Sequence, residues 1–157
     1  MKNFAKLLLL VFGCEFVGLI ATPVTITSIP TWYVHLNKPF FSPPNFIFGP
    51  VWTILYCLMG VSLYLVLQKG MEKKTVQTAV YFFVTQLFFN FLWSLIFFGL
   101  HQPLFALVDI IAMLMTIILA MLNFKKLSQT AFYLLVPYLL WVSFATLLNA
   151  SVVLLNP

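Results

Sequence analysis

Five apolar runs, each long enough to cross a bilayer, constrain this chain more than any other feature. Cut at their polar punctuation, they fall at about 7–27, 50–68, 75–100, 103–124 and 131–155. A spanning helix needs about 20 predominantly apolar residues. The composition agrees: 63% of the 157 residues are hydrophobic and 7% are charged, against about 25% charged in soluble domains. Eleven charged side chains cannot solvate a globule of this size, which excludes a water-soluble domain and excludes disorder. Three of the links are short, so successive helices are expected to be antiparallel neighbours. The expected fold is an all-α membrane protein, one domain over 1–157. It is a bundle of five transmembrane helices with a long ordered loop between helices 1 and 2. That loop, Ser28–Gly49, is too long and too aromatic for a simple turn.

The charges report orientation. All eight basic residues are lysines. Lys2, Lys6, Lys69, Lys73, Lys74, Lys125 and Lys126 fall on one side of the expected bundle, and only Lys38 falls on the other. By the positive-inside rule the N-terminus is cytoplasmic, and the long loop and C-terminus face outward. The net charge of +5 does not point to nucleic acid, because no basic stripe is present to track phosphates. Cys14 and Cys57 lie in apolar runs with no CxxC spacing and read as buried thiols. A signal peptide is not expected, since the first apolar run resumes after Glu15 instead of ending. The sequon Asn149-Ala-Ser151 lies inside the fifth run and reads as accidental.

Polar and aromatic residues within the runs recur at helical spacing. Gln86, Asn90, Trp93 and Phe97 share one face of the third helix. Tyr138, Trp141, Ala145 and Asn149 share a face of the fifth, and Trp52, Tyr56 and Met59 a face of the second. The fourth carries Asp109, with Met113 one turn below. At about 1.5 Å per residue, Asn90 and Trp93 lie roughly 22–27 Å from the lysine-rich end of their helix. Asp109 lies roughly 9 Å below the opposite end by the same rise. These faces are therefore expected to converge on one outward-half cavity beneath the loop. Each residue also has a structural alternative. Trp52 can be an interfacial anchor, Asn90 and Asn149 interhelical hydrogen-bond glue, and Asp109 a neutral or hydrogen-bonded structural group. Glu15, near mid-membrane on helix 1, reads as structural or as an interface residue. The series Cys14, Gly18, Thr22 permits close helix packing.

His35 and His101 fall in the loop and in the third-to-fourth turn, with no Cys or second His at metal-site spacing. No metal site is expected. Nucleotide loops, Ser-His-Asp arrangements and paired carboxylates are missing, so hydrolytic and phosphoryl-transfer chemistry is not supported.

One string carries more specific information. Trp32-Tyr33, Leu36, Lys38-Pro39, Phe41, Pro43-Pro44, Phe48-Gly49-Pro50-Val51-Trp52-Thr53, Leu55-Tyr56 and Met59-Gly60 closely resemble the translocator protein family. Its members are also called tryptophan-rich sensory proteins or peripheral-type benzodiazepine receptors. Gln86-Leu87, Asn90, Trp93-Ser94 and Phe97-Phe98 extend the match, as do Asp109, Pro137-Tyr138, Trp141, Phe144-Ala145 and Leu148-Asn149. The resemblance covers all five helices in order and identifies the chain as a bacterial member. It implies a homodimer in the cell membrane that binds porphyrins such as protoporphyrin IX and, in some members, haem, sterols and isoquinoline ligands. Trp32, Trp52, Tyr56, Asn90, Trp93, Asp109, Trp141 and Ala145 match positions that line or cover the family's pocket. The tail after Asn149 lacks the Tyr and the basic residue of the animal sterol-recognition segment, which argues against sterol binding.

Two functional classes follow from that resemblance. One is a receptor or sensor that binds porphyrin with no required cofactor. The other is an enzyme degrading porphyrin oxidatively in light, with Trp52 and Trp141 as the catalytic residues. A tetrapyrrole transporter is a third reading, weakened because the chain shows no internal repeat.

Overall fold

The computed structural model describes residues 2–157, and every regular element among them is helical. Helix α1 spans Lys2–Thr31, α2 Phe48–Leu67, α3 Lys74–Ser94, α4 Pro103–Leu127, α5 Gln129–Leu134 and α6 Val136–Leu155. Short 3₁₀ turns at Tyr33–His35 and Asn45–Ile47 shape the long loop, and α3 ends in a wider π turn at Leu95–Gly99. Five segments are long and apolar enough to span a membrane: Asn3–Thr31, Asn45–Leu67, Lys74–Gly99, Pro103–Leu127 and Gln129–Leu155. The expected five-helix membrane bundle is the fold observed.

The boundaries differ most in α1. The first run was expected to close at about 27, and the helix continues through Pro23 to end at Thr31, one residue past Pro30. Proline costs a helix less in a span, where nearby hydroxyls and neighbouring helices re-satisfy backbone groups. Here Thr22, Thr25, Thr27 and Thr31 donate hydroxyls to the carbonyls of Gly18, Ala21, Pro23 and Thr27, bracing the helix around the prolines without reaching the Leu19 and Ile26 carbonyls that the prolines leave unbonded. The fifth run breaks instead, at Leu135, because Pro137 lacks a backbone donor and suits a helix start.

Around the bundle the spans neighbour one another in the order first, second, fifth, fourth, third, and the third closes back on the first. The lysine-rich half is tightly packed. Phe83 and Phe124 stack there at 5.6 Å, beside fully buried Val66, Val76, Ala79 and Ala131. Ser62 on α2 donates to the Ala131 carbonyl at 2.7 Å, pinning α2 to α5. The Ser128 hydroxyl caps α5 by accepting from the Ala131 N–H. Beyond the break at Leu135, α6 makes far less contact with α2. The bundle is therefore closed at one end and parted at the other.

Helix α1 lies against this frame along a thin edge of small residues. Cys14, Ala21 and Ser28 are its buried positions and Gly18 abuts the Tyr56 ring, so the contact face keeps Cys14 and Gly18 of the expected series and then runs on through Ala21, not Thr22. Thr22 is exposed. The tightest crossing is at Gly60 of α2, where an added Cβ would sit 2.5 Å from the Val11 Cα. Backbone cannot yield as a side chain can. Gly60→Ala should therefore destabilise the protein by about 1–3 kcal/mol. Gly13→Ala, with open space around its Cβ, should gain about 0.5–1 kcal/mol from helix propensity. Thermal unfolding of both variants in detergent checks the contrast; equal midpoints would refute the close crossing.

Candidate functional site

Where α2 and α6 part, a cavity of about 520 Å³ opens at the loop end of the bundle. One wall is α1 from Glu15 to Ile29, the second is Gly49, Trp52, Thr53 and Tyr56 of α2, and the third is Trp93, Ser94 and Phe98. Trp141 and Ala145 of α6 complete the enclosure, and Tyr33, Asn45, Phe46 and Phe48 cover it from the loop side. The volume falls in the range of small-molecule sites, which are apolar with a few placed polar groups.

The aromatic walls are held in place by specific contacts. Trp52 stacks on Tyr56 at 5.5 Å and meets Tyr138 edge-on at 6.3 Å. Trp93 stacks on Phe97 at 5.1 Å, and its indole N–H donates to Asn149 Oδ1 at 3.0 Å. Asn149 is itself fixed, its amide donating to the Pro103 carbonyl at 2.8 Å. Trp141 lies between Phe48 and Phe144, at 5.9 and 5.7 Å. Its N–H is buried and has no protein partner.

Five of the eight residues singled out from sequence line this cavity: Trp52, Tyr56, Trp93, Trp141 and Ala145. The other three lie elsewhere. Asn90 stands behind the wall, buried, accepting from the Tyr56 hydroxyl and donating to the Tyr138 hydroxyl at 3.1 Å. Trp32 stacks on the His101 ring at 4.4 Å and packs edge-on against Phe97. Asp109 is buried on α4 with one carboxyl oxygen unpartnered, and it is not part of the lining. Asp109 makes no hydrogen bond to Trp93; the indole N–H is taken by Asn149 Oδ1.

Neither histidine reaches the lining. His101 bonds Ser28 Oγ through Nε2 at 2.9 Å, while His35 is exposed. Among the described residues no group of three His, Cys, Asp or Glu side chains could hold a metal.

The covering loop is ordered by its own contacts. Asn37 and Asn156 exchange hydrogen bonds, Asn37 N–H to Asn156 Oδ1 at 2.9 Å and Asn156 Nδ2 to the Asn37 carbonyl at 3.0 Å. Lys38 Nζ donates to the Tyr33 carbonyl at 2.9 Å and sits 4.6 Å over the Tyr33 ring. Tyr33 is buried, which pushes its phenol above the ordinary range and keeps it neutral. The α1 wall was not anticipated. Its signal was present in the small residues at 14, 18, 21, 25 and 28, the two-turn repeat of a close-packed face.

The comparisons with known proteins point the same way. Residues 7–155 match the family model described as the TspO/MBR family. The chain is 43% identical to the tryptophan-rich protein TspO of Archaeoglobus fulgidus, over 98% of this chain and 99% of that one. It is 43% identical to the protein of that name from Chlorobaculum tepidum, over 99% of each. It is 39% identical to the human translocator protein, over 77% of this chain and 72% of that one. With five membrane-spanning helices and a match along nearly its whole length, the chain belongs to the TspO/MBR family of integral membrane proteins.

Proposed function

We propose that this protein is a membrane receptor or sensor binding porphyrins and isoquinoline-type planar ligands in the cavity at the loop end. The observation that carries this reading is the cavity itself, about 520 Å³ and walled by Trp52, Trp93, Trp141, Phe48 and Phe98. Indole and phenyl faces suit a flat apolar ring, and the tightly packed half below limits how deep it can go. The lining contains no His, Cys or Met, the Tyr56 hydroxyl is committed to Asn90 and burial keeps the Tyr33 phenol neutral, which favours metal-free protoporphyrin IX over haem bound through its iron. In this reading the protein acts as a homodimer in a bacterial cell membrane, N-terminus cytoplasmic. The seven-to-one lysine asymmetry supports that orientation.

A second reading, light-dependent oxidation of the bound porphyrin, is favoured by one observation. Trp52 and Trp141 both line the cavity, so an excited ring held there would lie against two indoles able to exchange an electron with it, with dissolved dioxygen as the oxidant that takes up the electrons. Purified protein with protoporphyrin IX, followed by absorbance in light and in dark, separates the two. A receptor leaves the spectrum of the bound ring stable beyond the bleaching of free porphyrin. Protein-dependent loss that disappears when Trp52 and Trp141 are both replaced by Phe makes the protein an enzyme.

Ala145 tests the cavity directly. It lies one turn beyond Trp141, and a larger side chain there fills the space a ring needs. Ala145→Leu should weaken protoporphyrin binding about five- to 150-fold, the equivalent of about 1–3 kcal/mol of overpacking. Unchanged affinity in a folded variant would remove this cavity as the porphyrin site. For topology, a tag on the N-terminus should be inaccessible in intact cells and one on the C-terminus accessible; the reverse pattern overturns the orientation.

A further inference from the structure

One charged side chain lines the cavity, and it stands at the cavity's deepest level on α1. Glu15 is halfway along a 30-residue helix. The remaining α1 lining residues climb from Gly18 to Ile29 towards the loop. A carboxyl group in mid-membrane is costly, and such groups usually face a cavity or pair with one another. Glu15 faces the cavity. Its hydrogen bond among the described residues is from the Cys57 thiol, which donates to Oε1 at 3.2 Å. A thiol is a weak donor. The second oxygen has no protein hydrogen bond, and it is not among the buried polar atoms left without a partner. With Glu15 in the cavity lining, its carboxyl keeps an oxygen that no protein donor occupies.

We infer that Glu15 is the recognition group at the floor of this cavity, taking the leading edge of a planar ligand that carries a cationic or N–H-bearing nitrogen. The inference rests on the ligand-binding reading above and adds a chemical selection to it. Hydrogen bonds to charged groups are stronger than those between neutral partners, and exclusion from water strengthens them further. The same carboxyl repels acidic substituents. A ring bearing carboxylates is thereby directed to enter with its apolar edge first and its acids towards the loop, where Lys38 stands over Tyr33. Glu15 thus selects nitrogen bases and orients carboxylate-bearing rings by one electrostatic rule.

Three probes of nearly one shape test this in nanodiscs of uncharged lipid, with empty discs subtracted: 9-aminoacridine as the cation, acridine as the neutral ring and 9-anthracenecarboxylate as the anion. The full-length protein should bind 9-aminoacridine at least tenfold more tightly than 9-anthracenecarboxylate. Glu15→Gln, which keeps the shape, should reduce that preference by about tenfold while leaving acridine affinity and the unfolding midpoint unchanged. Cys57→Ala should keep the preference. An unaltered preference in Glu15→Gln overturns the inference, and so does an equal loss of all three probes with a lowered midpoint, which makes Glu15 a structural link to α2. If acridine binding is abolished by Ala145→Leu but Glu15→Gln has no effect, the cavity reading stands and only the role of Glu15 falls. If no probe binds and Ala145→Leu leaves porphyrin affinity unchanged, both fall.

Discussion

The Tyr138 hydroxyl is the joint on which this bundle depends. Deep in the protein it donates to Gln86 Oε1 at 2.6 Å and accepts from the Asn90 amide, whose oxygen accepts from the Tyr56 hydroxyl. One polar chain therefore ties α2, α3 and α6 together in a medium that offers no water to take its place. Helices in a bilayer gain little from burying leucine against leucine, since lipid solvates both. Shape complementarity and satisfied polar groups must hold the bundle. Below the chain, α2 is pinned to α5 by Ser62 and the core is dense. Above it the helices part.

That arrangement explains how the cavity stays open without collapsing. Tyr56 is both a member of the polar chain and part of the cavity wall, so its ring cannot swing inward without breaking a buried hydrogen bond. Trp93 is restrained in the same way by Asn149, and Asn149 by the Pro103 carbonyl. Gly18 completes the pattern from α1, where any Cβ would run into the Tyr56 ring. The wall is thus made of large aromatic rings, several of them individually tethered, opposed by a helix whose Gly18 and Ala21 leave room beside them.

How much of this was legible in the sequence depends on which constraint each residue answers to. The five spans were legible because lipid demands long apolar runs and leaves little choice. The end of α1 was less so, because a proline such as Pro23 breaks a helix in water and is tolerated within a span, so the helix runs on to Thr31. Periodicity found faces of α2, α3 and α6 that each send residues into the cavity lining, yet a face has depth as well as direction. Asn90 shares its stripe with Trp93 but stands one turn nearer the polar chain, so Tyr56 and Tyr138 engage it before any ligand can. Trp32 is drawn aside by His101, whose backbone adopts the left-handed conformation (φ 54°) at the turn into α4. Such pairings between distant loops leave no periodic trace.

Helix α1 is the part whose role changes most between the two views. Among the spans it is the least buried in the bundle. Its small residues mark it as a surface for close approach, which is the opposite of a site made from large side chains. Both descriptions hold together because the cavity is the gap between the two kinds of surface. The aromatic wall supplies contact area for a ring, while the α1 side supplies room, threonine hydroxyls already committed to their own helix, and a single carboxyl. With so few polar groups on that side, selectivity has to come from Glu15 and from the rim of the loop, and the rings set only the shape that can enter.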